Sequence, residues 1–162
     1  MAGHIYTAEV AWKLEGEDYA KGKYSRAHVW RFDGGVEVPA SASPSVVPLP
    51  FSSETAVDPE EAFVATLSSC HMMTFIDLAR HAKYRTESHT DRAESFMTRI
   101  DRGTMAVTKV ILRPESVLRA DSAPDPSWFE DLHEKAHEMC FIANSVKTEI
   151  EIAPEPLRLI PA

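Results

Sequence analysis

The chain has 162 residues, 44% of them hydrophobic, which suits one compact domain over residues 1–162 with an ordinary hydrophobic core. Its 25 acidic and 17 basic side chains give a formal net charge of -8, and lysine and arginine are not concentrated in any segment, which argues against a nucleic-acid partner. The first residues lack the basic and apolar regions of a signal peptide, and no run approaches the ~20 apolar residues of a membrane span. We therefore expect a soluble, cytoplasmic protein that does not bind a membrane.

Alternating side chains predict a small antiparallel meander in the N-terminal part. One face of the first segment carries Tyr6, Ala8, Val10, Trp12 and Leu14, the pattern of a strand with one covered face. A second alternating segment, SRAHVWRF, leads into a turn at residues 33–35 and a short strand, VEV.

A long loop is predicted for residues 39–57, which contain four prolines and five serines and therefore suit neither a helix nor a central strand. Its portion VVPLPF is more apolar than a solvated linker. Loops of this length are usually functional or mobile. Two interpretations stay open: the loop packs over a site or a partner chain, or it is poorly ordered.

A long helix is predicted to begin behind Asp58 as N-cap, with Pro59 at its first position and Glu61 closing a capping box. It should end at about residue 81 or 83. Small or apolar side chains occur nearly all round it, which predicts burial on more than one side.

The C-terminal half predicts a hairpin, a second helix and a last strand. AESFMTRI and MAVTKVIL pair around a turn at residues 101–103, and Pro114 ends the pairing. Asp125 is the N-cap of a helix that runs to about Ala143, with Asn144 as its cap and the strand VKTEIEI behind it. This order predicts an α+β fold with antiparallel sheets and two long helices, rather than a doubly wound parallel sheet.

The chain has two cysteines, Cys70 and Cys140, predicted on the apolar faces of the two helices. They are too few for a secreted disulfide scaffold. Each is either a small buried hydrophobe, which free cysteine usually is, or one member of a chemical pair whose sulfurs meet where the helices pack.

A reactive thiolate in the middle of a helix needs a cation from another segment, because the helix dipole acts only near the helix termini. Arg26 lies in an apolar neighbourhood where a guanidinium needs a partner, and Glu60 in the first turn of the helix is a natural one. In the alternative interpretation, Arg26 is a solvated strand residue and Glu60 only complements the helix dipole.

The histidines near the cysteines do not indicate a metal site. Neighbouring residues on a helix diverge by about 100°, so His71 does not face Cys70. Zinc binding by Cys70, Cys140, His71 and His137 lacks the spacing of known motifs. We expect neither a metal nor a cofactor.

Four segments in this order resemble the OsmC/Ohr family of organic hydroperoxide reductases, in its OsmC-like branch, over nearly the whole chain. They are YSRAHVWRFDGG, the proline-rich loop, DPEEAFVATLSSCHMMTF and AHEMCFIANSV. The resemblance implies a thiol-dependent peroxidase that reduces organic hydroperoxides to alcohols. It also implies an α+β fold built as an intertwined homodimer, with active sites at the interface.

The resemblance assigns a role to each candidate site residue. Cys70 matches the peroxidatic cysteine, Cys140 the resolving cysteine, and Glu60 and Arg26 the pair that supports the first thiolate, with Arg31 as the reserve for the arginine. An external dithiol, either a lipoyl-type protein or a small thiol, would reduce the disulfide. Phe141 departs from the proline of the Ohr branch, which bears on substrate preference.

Helix geometry adds an inference about the two chains of such a dimer. Ten residues of straight helix span about 15 Å, so Glu60 does not reach Cys70 of its own helix directly. We therefore expect Arg26 and Glu60 to act from the partner chain. The VVPLPF loop and apolar residues such as Phe63 would favour organic peroxides, as would Met73 and Phe75. The alternative function is a non-catalytic small-molecule binding or stress-associated dimer of the same fold.

Overall fold

The computed structural model describes residues 3–14 and 18–161. Backbone contacts group the chain into two compact units, residues 1–62 and 63–162. Each unit is described by itself below.

The N-terminal unit contains the predicted meander. Strands β1 (Ala8–Ala11), β2 (His28–Phe32) and β3 (Glu37–Ala40) form one antiparallel sheet in the order β1-β2-β3. The turn between β2 and β3 closes where the Gly35 N–H donates to the Phe32 carbonyl at 2.9 Å, with Gly35 at φ +80, a conformation that glycine adopts without steric cost. The prediction that one face of β1 is covered is wrong for the single chain, since Val10 and Trp12 are both exposed.

The proline-rich segment forms no helix or strand beyond β3, as predicted. It is tied back to the unit by backbone hydrogen bonds. The Ser41 N–H donates to the Val57 carbonyl and the Val57 N–H to the Pro39 carbonyl, both at 3.0 Å, while the Arg26 N–H donates to the Phe51 carbonyl at 2.9 Å. The loop therefore packs against the residue that the sequence singles out as the candidate cation.

Helix α1 (Pro59–His81) begins where predicted. The Glu61 N–H donates to Asp58 Oδ1 at 2.7 Å and the Asp58 N–H donates to Glu61 Oε2 at 3.2 Å, which confirms the reciprocal capping box. At its other end Lys83 has φ +67, and the Tyr84 N–H donates to the Ala79 carbonyl at 2.9 Å, a Schellman arrangement.

The C-terminal unit contains two three-stranded sheets and a second helix. The strands are β4 (Arg85–Asp91), β5 (Glu94–Asp101), β6 (Thr104–Leu112), β7 (Pro114–Arg119), β8 (Glu149–Ile152) and β9 (Arg158–Ile160). The sheets have the orders β4-β7-β9 and β5-β6-β8. The pair β4–β7 and the hairpin β5–β6 are antiparallel, whereas β6–β8 and β7–β9 are parallel. The α+β class is confirmed, with mixed rather than purely antiparallel sheets.

The β5–β6 pairing ends before Pro114, as predicted, but Pro114 also begins a further strand, β7, which was not predicted. A proline is tolerated at the first residue of a strand because it need not donate to the ladder there. β7 pairs with β4, whose sequence RTESHTD has almost no apolar residue and so gives no alternation signal.

Helix α2 (Pro126–Met139) begins behind its predicted N-cap but ends four residues before Ala143. The Asp125 side chain accepts the Ser127 N–H at 3.0 Å. Cys140 is the C-cap residue, with ψ 113, so it does not lie on the helix face where the sequence predicts it. The predicted cap is confirmed: Asn144 Nδ2 donates to the carbonyls of Glu138 at 2.8 Å and Cys140 at 3.1 Å.

Helix α1 contributes to both hydrophobic clusters of the C-terminal unit. Its second half packs Phe75 and Ala79 with Leu118 of β7 and with three residues of α2, namely Phe129, Leu132 and Ala136. Its first half packs Leu67 with Val110 and Leu112 of β6. By length and composition alone α1 could cross a membrane, a test that core helices of soluble proteins also pass. In the single chain only 22% of its most apolar stretch is buried, so the predicted burial on more than one side is not seen there.

Three histidines meet beside Phe75 inside the first of these clusters. His71 and His133 are almost fully buried, their rings are stacked, and His71 Nε2 lies 2.9 Å from His133 Nδ1. The His89 ring lies 6.5 Å from the His133 ring and its Nδ1 is 3.1 Å from Ser116 Oγ. Burial, with His89 and His137 nearby, lowers the pKa of His71 to about 4, and burial with His71 and His89 lowers the pKa of His133 to about 3.

Acid should destabilise this unit through the buried histidines. Between about pH 6.5 and pH 4 the unfolded chain binds protons that folded His71 and His133 do not bind. The free energy of unfolding therefore keeps its full value at pH values above the histidine pKa of the unfolded chain. Below that pKa it falls by about 1.4 kcal/mol per pH unit for each histidine. Urea denaturation at neutral and acid pH measures how the free energy of unfolding depends on pH. In His133→Gln this dependence should be weaker by the contribution of one histidine.

The matched control is His81→Gln, which removes an exposed histidine at the end of α1 and should keep the wild-type slope. A slope in His133→Gln that equals the wild-type slope would contradict the assignment of acid sensitivity to this cluster.

Candidate active site

Two free thiols meet in the C-terminal unit. Cys70 lies on the buried face of α1 and is 9% exposed, and Cys140 at the C-cap of α2 is 1% exposed. The two thiols are close enough to influence each other, since Cys70 contributes to the raised pKa of Cys140. The two side chains are therefore neighbours, as the prediction that their sulfurs can meet requires, although Cys140 approaches Cys70 from a helix cap rather than a helix face.

Cys140 is held as a protonated thiol. Burial and the neighbouring Cys70 thiol raise its pKa to about 11, even though the Ala143 N–H donates to its Sγ at 3.4 Å and works in the opposite direction. At neutral pH Cys140 therefore keeps its proton. Such a thiol is a weak nucleophile until a partner accepts its proton.

Arg26 belongs to the N-terminal unit, where its guanidinium is half-buried. Nη1 donates to the carbonyl oxygens of Gly22 at 3.0 Å and Tyr24 at 2.5 Å, and Cζ lies 3.7 Å from the centre of the Tyr24 ring. No carboxylate within residues 3–14 and 18–161 forms an ion pair with Arg26 in the single chain. The simplest form of the prediction is an ion pair between Arg26 and Glu60 within one chain. Glu60 is half-buried in the first turn of α1, and the single chain does not show this ion pair.

Arg31, the reserve candidate, already forms two ion pairs on the surface of the meander. Its Nε donates to Glu37 Oε1 and its Nη1 to Glu9 Oε1, each at 2.5 Å, and these carboxylates raise the pKa of Arg31 above its ordinary value. Of the two arginines, Arg26 is the one without a carboxylate partner among the described residues.

His28 positions Arg26 through the backbone, a role that the sequence reasoning missed. Trp30 Nε1–H donates to His28 Nε2 at 2.9 Å, so His28 Nδ1 carries the proton and donates to the Arg26 carbonyl at 2.7 Å. The sequence offered one indication of this contact: His28 and Trp30 are two residues apart and therefore lie on the same face of a strand.

His71 pairs with His133, 62 residues away, as expected for a residue that does not face Cys70. This contact is tertiary, so neither the pair nor its neighbour His89 could be found from local spacing. Within the described residues, no group of three or more His, Cys, Asp or Glu side chains is arranged to hold a metal ion.

Comparison with known proteins places the chain in a family. The family model for OsmC-like proteins matches residues 52–155. A solved OsmC-like protein of unknown function from Vibrio cholerae O1 biovar eltor str. N16961 is 48% identical, with a TM-score of 0.91 over 94% of this chain and 100% of that one. The chain therefore belongs to the OsmC-like family.

More distant structures share the fold. An organic hydroperoxide resistance protein from Legionella pneumophila is 18% identical, with a TM-score of 0.63 over 97% of this chain and 98% of that one. One from Elizabethkingia anophelis is 21% identical, with a TM-score of 0.59 over 99% and 100% of the two chains. No curated protein matches the chain.

The contact between the thiols predicts that a mild oxidant closes a disulfide within one chain. Diamide should remove two hydrogen masses per chain and leave Cys70 and Cys140 unavailable to alkylation after denaturation, because the two thiols are neighbours. Mass spectrometry of peptides under non-reducing conditions identifies the bridge.

Cys140→Ser is the control, because it can form only disulfides between chains. Wild-type protein that forms only interchain disulfides, or none, would show that the two sulfurs do not meet in solution.

Proposed function

We propose that this protein is a cytoplasmic thiol-dependent peroxidase that reduces organic hydroperoxides to alcohols. The observation that carries the proposal is that two buried free thiols, Cys70 and Cys140, are neighbours in a chain of the OsmC-like family. Support also comes from the fold shared with proteins that are named for organic hydroperoxide resistance.

The first step is attack of the Cys70 thiolate on the distal oxygen of ROOH. The O–O bond breaks, an S–O bond forms, and the alkoxide leaves as ROH after taking one proton, so that Cys70 becomes a sulfenic acid.

The second step consumes the sulfenic acid. The Cys140 sulfur attacks the Cys70 sulfur and its proton leaves with the hydroxyl group as water, which gives the disulfide. An external dithiol, a lipoyl-type protein or a small thiol, then reduces the disulfide by exchange and is itself oxidised. No cofactor is needed for this cycle.

Arg26, supported by Glu60, would supply the positive charge that stabilises the thiolate and the charge that develops on the leaving oxygen. The two residues are not paired within one chain, so we assign them to the active site of a partner chain. An exposed apolar surface on the C-terminal unit supports a homodimer: Met73 on α1 is 60% exposed, and Ile76, Phe96, Ile100 and Met105 are exposed as well.

The peroxidase assay that tests this proposal couples cumene hydroperoxide consumption to a dithiol. Cys70→Ser should abolish turnover, and Cys140→Ser should keep a single turnover but lose the dithiol-coupled cycle. Arg26→Gln should lower kcat/KM by about 100-fold or more, as loss of a preorganised charge does. Hydrogen peroxide should be the poorer substrate.

Arg31→Gln is the matched control, since it removes an exposed guanidinium that is paired elsewhere, and it should retain the wild-type rate. Equal rates for the wild type and Cys70→Ser would refute the enzymatic proposal.

A second test addresses the dimer. Met73→Glu places a charge on the exposed face of α1 and should convert the dimer to a monomer, because burying an unpaired carboxylate in an apolar interface is costly. Lys135→Glu, at an exposed position of α2, is the matched control and should remain dimeric. Sedimentation velocity distinguishes the two, and a monomeric wild type would remove the basis for a shared active site.

A non-catalytic small-molecule binding or stress-associated dimer is the second candidate. The observation that favours it is that Arg26 contacts backbone carbonyls and a tyrosine ring rather than a carboxylate. In that case all the Cys70 and Cys140 variants would match the wild type in the peroxidase assay.

A further inference from the structure

A cavity of about 560 Å³ lies in the C-terminal unit, where α1 ends and β4 begins. It is lined by residues 82–85 and by residues 119–122 at the end of β7. About 17 Å of helix separates His81, the last residue of α1, from Cys70. Neither cysteine nor Arg26 is among the described residues that line the cavity, so it is not part of the candidate active site.

Three cationic side chains line this cavity: Lys83, Arg85 and Arg119. In the β4–β7 pair, Arg85 and Arg119 lie directly opposite each other. Like charges at directly opposed positions of two strands destabilise the pairing. Positive charge is therefore concentrated here at a cost, in a chain whose formal net charge is -8.

The two arginines share one carboxylate. Glu87 Oε1 accepts a hydrogen bond from Arg119 Nε at 2.8 Å and lies 2.9 Å from Arg85 Nε. The hydrogen bond from Arg119, together with the charge of Arg85, holds the pKa of Glu87 below its ordinary value, so this carboxylate is ionised at neutral pH. Glu87 therefore compensates one of the two guanidinium charges but not both.

Several donors around the cavity have no partner among the described residues. Arg119 Nη1 donates to the Pro161 carbonyl at 2.5 Å, but Arg119 Nη2 and both Nη groups of Arg85 have no acceptor there. In the described part of the chain the Lys83 ammonium forms no ion pair either. Asp121 also lines the cavity, yet within the same residues it pairs with none of the three cations. The cations thus outnumber the carboxylates at this site.

The backbone holds Lys83 at the edge of the cavity. Its φ of +67 is a left-handed conformation that glycine adopts at no steric cost and lysine does not. The Lys83 N–H donates to the Arg80 carbonyl at 3.0 Å and the Tyr84 N–H to the Ala79 carbonyl at 2.9 Å, which fixes this conformation. Because glycine would suit the backbone better, the ammonium group is what lysine adds at this position.

We propose that this cavity binds the phosphoryl group of a small phosphorylated molecule or of inorganic phosphate, held by Lys83, Arg85 and Arg119. Guanidinium groups match phosphate oxygens with paired donors, and an ammonium binds phosphate as a point charge. A phosphoryl group offers three acceptor oxygens to these three cations, whereas a carboxylate offers two. The proposal does not rest on the peroxidase activity.

The cavity also has room for an organic group attached to the phosphate. Its volume falls within the range of about 300–1,000 Å³ that is typical of small-molecule sites. Tyr84 lines it, and the ring of Tyr84 is packed on Trp128 with centroids 4.4 Å apart. An aromatic surface in a fixed position is therefore available beside the cations.

Isothermal titration calorimetry of the full-length protein in a phosphate-free buffer tests the proposal with inorganic phosphate, phenyl phosphate and benzoate. Both phosphate probes should bind about tenfold more tightly than benzoate, because each offers more charge and one more acceptor oxygen. Tighter binding of phenyl phosphate than of inorganic phosphate would identify a phosphate ester as the ligand. Equal affinities of the two would identify free phosphate.

Two variants test the assigned cations. Arg85→Gln removes an exposed guanidinium and should weaken phenyl phosphate binding about tenfold, as the loss of one charge-assisted hydrogen bond does. Lys83→Gly should also weaken binding, while its urea midpoint stays at the wild-type value or rises, since glycine suits a φ of +67. Weaker binding without lost stability excludes misfolding as the cause.

Arg102→Gln is the matched control, because it removes one positive charge from the exposed turn between β5 and β6 and should bind phenyl phosphate as the wild type does. Absence of binding by both phosphate probes would overturn the proposal, as would equal affinities for phenyl phosphate and benzoate. Wild-type affinity in both Arg85→Gln and Lys83→Gly would also overturn it. Equal weakening in Arg102→Gln would attribute the effect to net charge alone and overturn the site. None of these outcomes depends on peroxidase activity.

Discussion

Burial of one face of α1 is the constraint on which the rest of the C-terminal unit depends. Phe75 and Leu67 on that face fill two separate clusters, and Cys70 lies between them on the same face. Truncating a buried aromatic side chain costs about 3–5 kcal/mol, a large share of the roughly 5–15 kcal/mol that stabilises a domain. The packing that holds the unit together therefore also fixes the candidate nucleophile, and a change that loosens α1 would displace the thiol as well.

The end of α2 decides what Cys140 can do. Had the helix continued to Ala143, the Cys140 backbone would have been bound into it on both sides. Instead Cys140 turns to an extended ψ, Asn144 satisfies the free carbonyls, and the Cys140 sulfur accepts the Ala143 N–H. A thiol at a cap can rotate toward a disulfide bond of about 2.05 Å without opening a helical turn. This position suits the resolving role that we propose for Cys140.

Local signals were enough for the features that depend on a few adjacent residues. The capping box of Asp58 and Glu61, the hairpin of β5 and β6 and the N-cap Asp125 all use side chains within a turn of the backbone atoms they bind. Features that depend on distant partners could not be predicted. β4 is polar and is defined only by pairing with β7, and the stack of His71 on His133 joins residues 62 positions apart. The proximity of the thiols was foreseeable only in part, because helical spacing placed both cysteines on apolar helix faces whereas Cys140 lies at the cap of α2.

Arg26 is the cation that the proposed peroxidase needs, and the N-terminal unit fixes its position without a thiolate. Its place above Tyr24 is set by two carbonyls and by the His28–Trp30 hydrogen bonds, which lie entirely within the N-terminal unit. Within the described residues no carboxylate forms an ion pair with Arg26. A guanidinium left uncompensated in this way is open to an anion that reaches it, and in the proposed dimer that anion is the Cys70 thiolate of a second copy.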